Sequence, residues 1–252
     1  MRRLLTAVYG LACYLVFLAT FLYLIAFVEG APVPRTVDVG PAASTGAALV
    51  IDLALIALFG LQHSVMARGG FKRWWTKVVP ASVERSTYVL AASLALILLM
   101  WQWRPLTATV WRVENPAGRI ALYALSGGGW VLLLLSTYLI DHFELFGVRQ
   151  VYEHARGRAP EAPPFQTPGW YRFVRHPIYL GFIVAFFAAP VMSAGRLLFS
   201  VAMTAYILVG IHYEERDLVE RFGDAYRGYR AHVGMLLPWR RAAGGPGASP
   251  AR

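Results

Sequence analysis

A chain of 252 residues that is 57% hydrophobic and only 15% charged is too apolar for a soluble globular domain and points to a polytopic membrane protein. Its formal net charge of +10 would suit nucleic acid in a soluble protein. Here the basic residues flank apolar runs, so they read as loops that set orientation in a bilayer, and no nucleic-acid partner is expected.

The first apolar run, 5–28, follows Arg2 and Arg3. A secretory signal has an apolar core of only about 7–15 residues, whereas this run is long enough to cross the ~30 Å hydrocarbon layer. It is expected to be a transmembrane helix, with the single cysteine, Cys13, packed inside it. Further runs lie at 47–66, 87–103, 119–140, 178–194 and 197–213. The last two are short and are joined by a few residues around Ser193 and Arg196, which predicts a tight antiparallel helical hairpin. Within the fourth run, Gly127-Gly128-Gly129 suggests close helix packing rather than a phosphate loop.

Six crossings would return both termini to one side. All the arginines and lysines except Arg35, Arg104, Arg112, Arg119 and Arg196 then fall on the face that carries the termini. By the positive-inside rule that face is cytoplasmic, and a bacterial inner membrane is the expected location. The expected fold is all-α: about six transmembrane helices plus a cytosolic amphipathic C-terminal helix. Residues 1–140 would form a four-helix membrane part. Residues 141–240 would carry a cytosolic connector, the hairpin and the C-terminal helix, and 241–252 a disordered tail.

The proline-rich centre of the connector, 157–169, predicts irregular cytosolic structure. Beyond Glu215, Leu218, Phe222, Tyr226 and Tyr229 recur at helical spacing, with Arg221, Asp224, Arg227 and Arg230 on the other face. Such a helix lies on the membrane surface or closes over a bound cofactor; the two readings are compatible.

Polar residues at the ends of apolar runs are costly and therefore informative. His63, with Gln62 and Ser64, closes the second run; Asp141-His142-Phe143-Glu144 closes the fourth, with Arg149 following. Each histidine is either a hydrogen-bonded helix end or a substrate-side group. His63, His142, His154, His176, His212 and His232 include no i, i+4 pair, so no zinc site is expected. A haem held by one or two histidines remains an alternative by spacing.

The stretch Arg175-His176-Pro177-Ile178-Tyr179-Leu180-Gly181 stands between connector and apolar run. Proline suits a first helical turn, so His176 should sit at the mouth of a helix starting at Pro177. Such a mouth favours an anionic group. A hairpin would return Glu214-Glu215-Arg216-Asp217 to the same face, so a charged cofactor between the two is expected.

The pair RHPIYLG (175–181) and EERDLVERFGDAYRGYR (214–230) closely resembles the membrane methyltransferases related to isoprenylcysteine carboxyl methyltransferase. The resemblance implies an S-adenosyl-L-methionine site. In it His176, Tyr179 and Gly181 would border the adenosyl part, and Glu214 and Glu215 would hold the methionine part or the helix-end environment; Arg175, in the same stretch, is suited to orienting a carboxylate of the cofactor. LQHSVMAR (61–68), FKRWWT (71–76), ERSTYVL (84–90), DHFELFGVRQV (141–151) and AAPVMSAGRLLF (188–199) narrow the likeness to the branch of that superfamily that methylates a small thiol. This branch implies methanethiol as substrate and dimethyl sulfide as product. LQHS alone also resembles a wider membrane family that includes a haem-dependent isomerase. Within the superfamily, a prenylated cysteine or a lipid headgroup is the alternative acceptor. An alkyl thiol is mostly protonated at neutral pH, so the site needs a proton acceptor or a positive group to stabilise a thiolate. The candidates are His142, Glu144 and His63 as acceptors and Arg149 as the cation, with the His142 region preferred.

Overall fold

The computed structural model describes residues 2–158 and 164–238. The expected disordered tail and part of the proline-rich connector lie outside them. The protein is mostly helical. Helices α1 (Arg2–Glu29), α2 (Thr45–Ala67), α4 (Ala81–Gln102), α5 (Pro116–Ile140) and α9 (Ala194–Phe222) are each long and apolar enough to cross a membrane. Short helices α3 (Gly69–Trp75), α6 (His142–Leu145) and α7 (Val148–Ala155) lie in the connections that follow α2 and α5.

Local chemistry sets the helix starts. Ser44 Oγ accepts from Ala47 N at the head of α2, Asn115 Oδ1 from Gly118 N ahead of Pro116, and Ser193 Oγ from Arg196 N ahead of α9. Asp141 caps α6 through Glu144 N. Gly147, at φ 83°, turns α6 into α7, and a side chain there would strike Ser86 of α4.

The fifth apolar run, 178–194, is not one continuous helix. Helix α8 (Pro177–Phe187) has only 11 residues, and the chain continues extended through β2 (Val191–Ser193). Pro190 explains the break: it has no N–H, and its ring disfavours helical geometry at Ala189. β2 pairs antiparallel with β1 (Thr109–Arg112), Thr109 opposite Ser193 and Arg112 opposite Val191. The molecule is therefore not purely helical. Backbone groups that leave a helix need other partners. Here Trp111 Nε1 donates to Ala189 O, Val113 N to Pro190 O and Ala194 N to Ala108 O.

The hairpin also differs from expectation. The main partner of α8 is α5, not α9. A Cβ on Gly181 would lie 2.6 Å from Gly129 O, and one on Gly129 would lie 2.7 Å from Gly181 O. Two glycines thus let the backbones touch. A Cβ on Gly127 or Gly128 would meet nothing within 4 Å, so only Gly129 of the three serves close packing.

The amphipathic C-terminal helix is divided. α9 runs on to Phe222, Gly223 turns the chain at φ 56°, and α10 (Asp224–His232) follows. Phe165 from the connector packs on Phe222, Tyr226 and Tyr229, the aromatic face read from the sequence. The core centres on Phe27, Leu99, Trp103, Phe186 and Phe199, all buried.

Candidate active site

Twenty residues separate Ala194 from Glu214 along α9, about 30 Å of helix at ~1.5 Å per residue. That carries the acidic pair back to the level of the α8 mouth. His176 occupies the N-cap of α8 without capping it by its side chain, which leaves the imidazole free to reach α9. His176 Nε2 lies 3.1 Å from Glu215 Oε1, and Arg175 Nε donates to the same oxygen at 2.7 Å. Tyr179, one turn into α8, donates its hydroxyl to Glu214 Oε2 at 2.8 Å. Both glutamates are thus held by the RHPIY stretch, each by different side chains.

A third strand of chain fixes this arrangement. After α10, Gly234 and Met235 run beside the α8 mouth and accept from Arg175 N and His176 N at 2.9 and 3.1 Å. Arg175 Nη1 also donates to Arg230 O at 3.1 Å, and Arg230 Nη1 stands 3.8 Å from Glu215 Oε2. A cleft of about 1090 Å³ opens here, lined by Arg175, Leu180, Glu215, Arg230, Gly234 and Met235 among others. Tyr226 is buried, and its hydroxyl has no hydrogen-bond partner. It lies within electrostatic reach of Glu215, Glu214 and Arg175, and burial pushes its phenol well up. Burial likewise pushes Tyr229 up to about 12. Both stay protonated donors at neutral pH. A charged pair, an unpartnered buried hydroxyl and an adjoining cleft fit a zwitterionic ligand of cofactor size. Among the described residues, no three His, Cys, Asp or Glu side chains converge as a metal ion would require.

Not every residue singled out from the sequence gathers at this cleft. Gly181 lies at the α5–α8 crossing, buried against Gly129 and Leu133. His142 is buried and has both nitrogens occupied: Nδ1 is 2.8 Å from Thr137 Oγ1 and Nε2 is 2.9 Å from Tyr14 Oη. Its ring stacks on Tyr138 at 4.3 Å. Burial holds its pKa below the ordinary value, partly opposed by Asp141. Arg149 pairs with Asp141 and stands 3.6 Å from Glu144 Oε2; the Asp141 carboxylate raises its pKa further. His63 belongs to a different cluster, with Nε2 2.7 Å from Tyr88 Oη. The four candidate catalytic residues therefore divide into two groups. Tyr226, Tyr88 and the 233–237 segment were not singled out. Tyr226 was legible only as an apolar-face position, and the final segment is too short to show a period.

Residues 130–220 match the model of the Isoprenylcysteine carboxyl methyltransferase (ICMT) family, which spans α8, most of α9 and the approach to them. A membrane methyltransferase is the class that these matches and helices define. Over 234 residues the chain is 58% identical to "Methanethiol S-methyltransferase 1" of Bradyrhizobium diazoefficiens, covering 93% of this chain and 82% of that one. It is 58% identical over 239 residues to "Methanethiol S-methyltransferase" of Mycobacterium tuberculosis, covering 95% and 98%. A Pseudomonas relative of the same name is 50% identical, covering 94% and 91%. The chain belongs to the methanethiol S-methyltransferase family. No solved structure matches it.

Proposed function

We propose that the protein transfers the methyl group of S-adenosyl-L-methionine to methanethiol, releasing dimethyl sulfide. The names of relatives at 50–58% identity support the acceptor and product. The observation that carries the cofactor reading is the joint hold of Arg175 and His176 on Glu215, where Arg175 and Glu215 line a cleft.

Arg175 is the group suited to a carboxylate, and Glu214 and Glu215 are suited to an ammonium or a sulfonium. Tyr179 and His176 orient the two carboxylates. Bound there, S-adenosyl-L-methionine supplies a methyl group on a cationic sulfur. Attack by a thiolate converts two opposite charges into neutral products, so a site shielded from water favours the step. The protein's share is mainly alignment and exclusion of water. An apolar thiol can arrive through the bilayer, while the polar donor comes from the cytosol. We place both termini and the cleft on the cytoplasmic face of the inner membrane, with α8 and the extended segment to Ser193 together making the sixth crossing.

The test is purified protein in lipid nanodiscs, supplied with S-adenosyl-L-methionine and methanethiol and assayed by gas chromatography. Dimethyl sulfide should form. Protein that binds the donor but yields none would remove methanethiol as the acceptor and leave the methyltransferase class standing.

A further inference from the structure

The methyl acceptor must lose a proton, and the residues offered for that step are not equally free. His142 has a partner on each nitrogen and a stacked ring, which describes a structural histidine. Glu144 Oε2 is also buried without a hydrogen bond, but the Arg149 guanidinium stands 3.6 Å away and opposes proton uptake there. His63 differs. Its Nε2 meets the Tyr88 hydroxyl, while Nδ1 is buried with no partner. An orphaned buried ring nitrogen is costly unless a ligand uses it.

The surroundings of His63 lead to the cofactor residues. The ring of Tyr206 on α9 stands edge-on to it at 6.3 Å, and Phe59 lies at 5.4 Å. Arg85 on α4 holds its guanidinium 5.1 Å over the Tyr88 ring and donates to Leu145 O. Tyr179 is within electrostatic reach of both Tyr88 and Tyr206 while its hydroxyl holds Glu214. Tyr206 separates His63 from a second cleft, about 650 Å³, between α2 and α9, which Ile56, Gly60, Ser64, Tyr206 and Val209 line and His63 itself does not. Its lining is apolar except at Ser64, Arg68 and the tyrosine hydroxyls, which suits a small apolar thiol. Gly60 keeps this wall in place: a Cβ there would lie 2.9 Å from the Tyr206 ring.

We infer that His63, oriented by Tyr88, is the catalytic base that takes the thiol proton, in a subsite between α2 and α9. This rests on the function proposed above. With the ring proton on Nε2, the Tyr88 oxygen accepts it and Nδ1 presents its lone pair. The S–H proton passes to Nδ1 as the thiol sulfur bonds to the methyl carbon. The bond from that carbon to the donor's sulfonium breaks, its electron pair stays on the departing sulfur, and the proton leaves His63 for water afterwards.

The test compares His63→Gln with wild type on methanethiol and on methaneselenol, which has nearly the same shape but is already ionised at neutral pH. Binding of S-adenosylhomocysteine is measured by calorimetry in parallel. General-base loss is typically about 10²–10⁴-fold. The variant should lose at least ~100-fold in kcat on methanethiol, stay within about fivefold on methaneselenol, and bind S-adenosylhomocysteine as wild type does. Tyr88→Phe should show the same selectivity with a smaller loss, about tenfold. Equal loss on both nucleophiles, full activity of the variant, or weakened S-adenosylhomocysteine binding would each overturn the role. Wild type inactive on both nucleophiles would overturn the substrate reading itself, and the role with it.

Discussion

Two carboxylate–guanidinium clusters stand at opposite ends of the α8–α9 pair. At the far end, Arg196 is buried, lies 3.5 Å from Glu29, and donates to Phe186 O and Ala185 O. Ser200 Oγ also donates to Phe186 O, and Ser126 Oγ to Ala185 O. Ser126 and Trp130 donate to Glu29. These bonds serve the carbonyls that Pro190 left without helical partners. At the near end, Arg175 and Glu215 are comparably buried, but the pair opens on a cleft and has the unpartnered Tyr226 hydroxyl within electrostatic reach. The ion pair does not distinguish a site from a splice. Unused hydrogen-bonding capacity next to empty space does.

The contrast predicts different responses to charge removal. Arg196→Leu leaves Glu29 without its cation and the broken helix end without its donors. Breaking a buried pair costs ~3–5 kcal/mol, so this variant should show the largest fall in thermal midpoint in detergent. Glu215→Gln keeps a polar group among Arg175, His176 and Arg230. Its midpoint should move little, while affinity for S-adenosyl-L-methionine falls about 100-fold by calorimetry. If Glu215→Gln unfolds the protein and Arg196→Leu does not, the two ends have been assigned the wrong way round.

How far each end could be read in advance follows from the same contrast. The near end was legible because its residues are contiguous: RHPIYLG announces a helix mouth, and two adjacent glutamates close an apolar run. The long helices were legible from length alone. The far end was not, because Glu29, Ser126, Ala185 and Arg196 come from four separate segments and meet only after packing. Arg196 read only as part of the short connection between two apolar runs for that reason. The break in α8 had a local signal, Pro190 inside an apolar run, which the run's hydropathy concealed. Similarly, the free nitrogen of His63 and the saturated His142 differ only in tertiary partners, which the sequence preference for the His142 region could not take into account.

Gly181→Ala sharpens the comparison where α8 meets α5. The added Cβ would lie 2.6 Å from Gly129 O and 2.8 Å from Leu133 N, both backbone atoms that cannot rotate aside. The helices must part, at a cost of ~1–3 kcal/mol. A drop in midpoint with unchanged donor affinity per folded molecule marks a packing glycine. Unchanged midpoint with altered affinity would instead put Gly181 at the cofactor.

The smallest effect belongs to His142, whose hydrogen bonds resemble the far end in being complete. Burial lowers its pKa, so the folded state holds the neutral ring, while an unfolded chain takes up a proton near pH 6.5. As pH falls through that value, the unfolded state is favoured, and stability declines until the folded pKa is reached. The loss is ~1.4 kcal/mol for each unit by which folding depresses the pKa. The groups facing the ring are Tyr14, Thr137, Tyr138, Phe143 and Phe146, with Asp141 next in the chain. Thermal midpoints taken from about pH 7.5 to about 5.5 should therefore fall for wild type and stay flatter for His142→Gln. Parallel curves would mean that the ring titrates alike in both states, and the case for His142 as a closed structural histidine would fail with them.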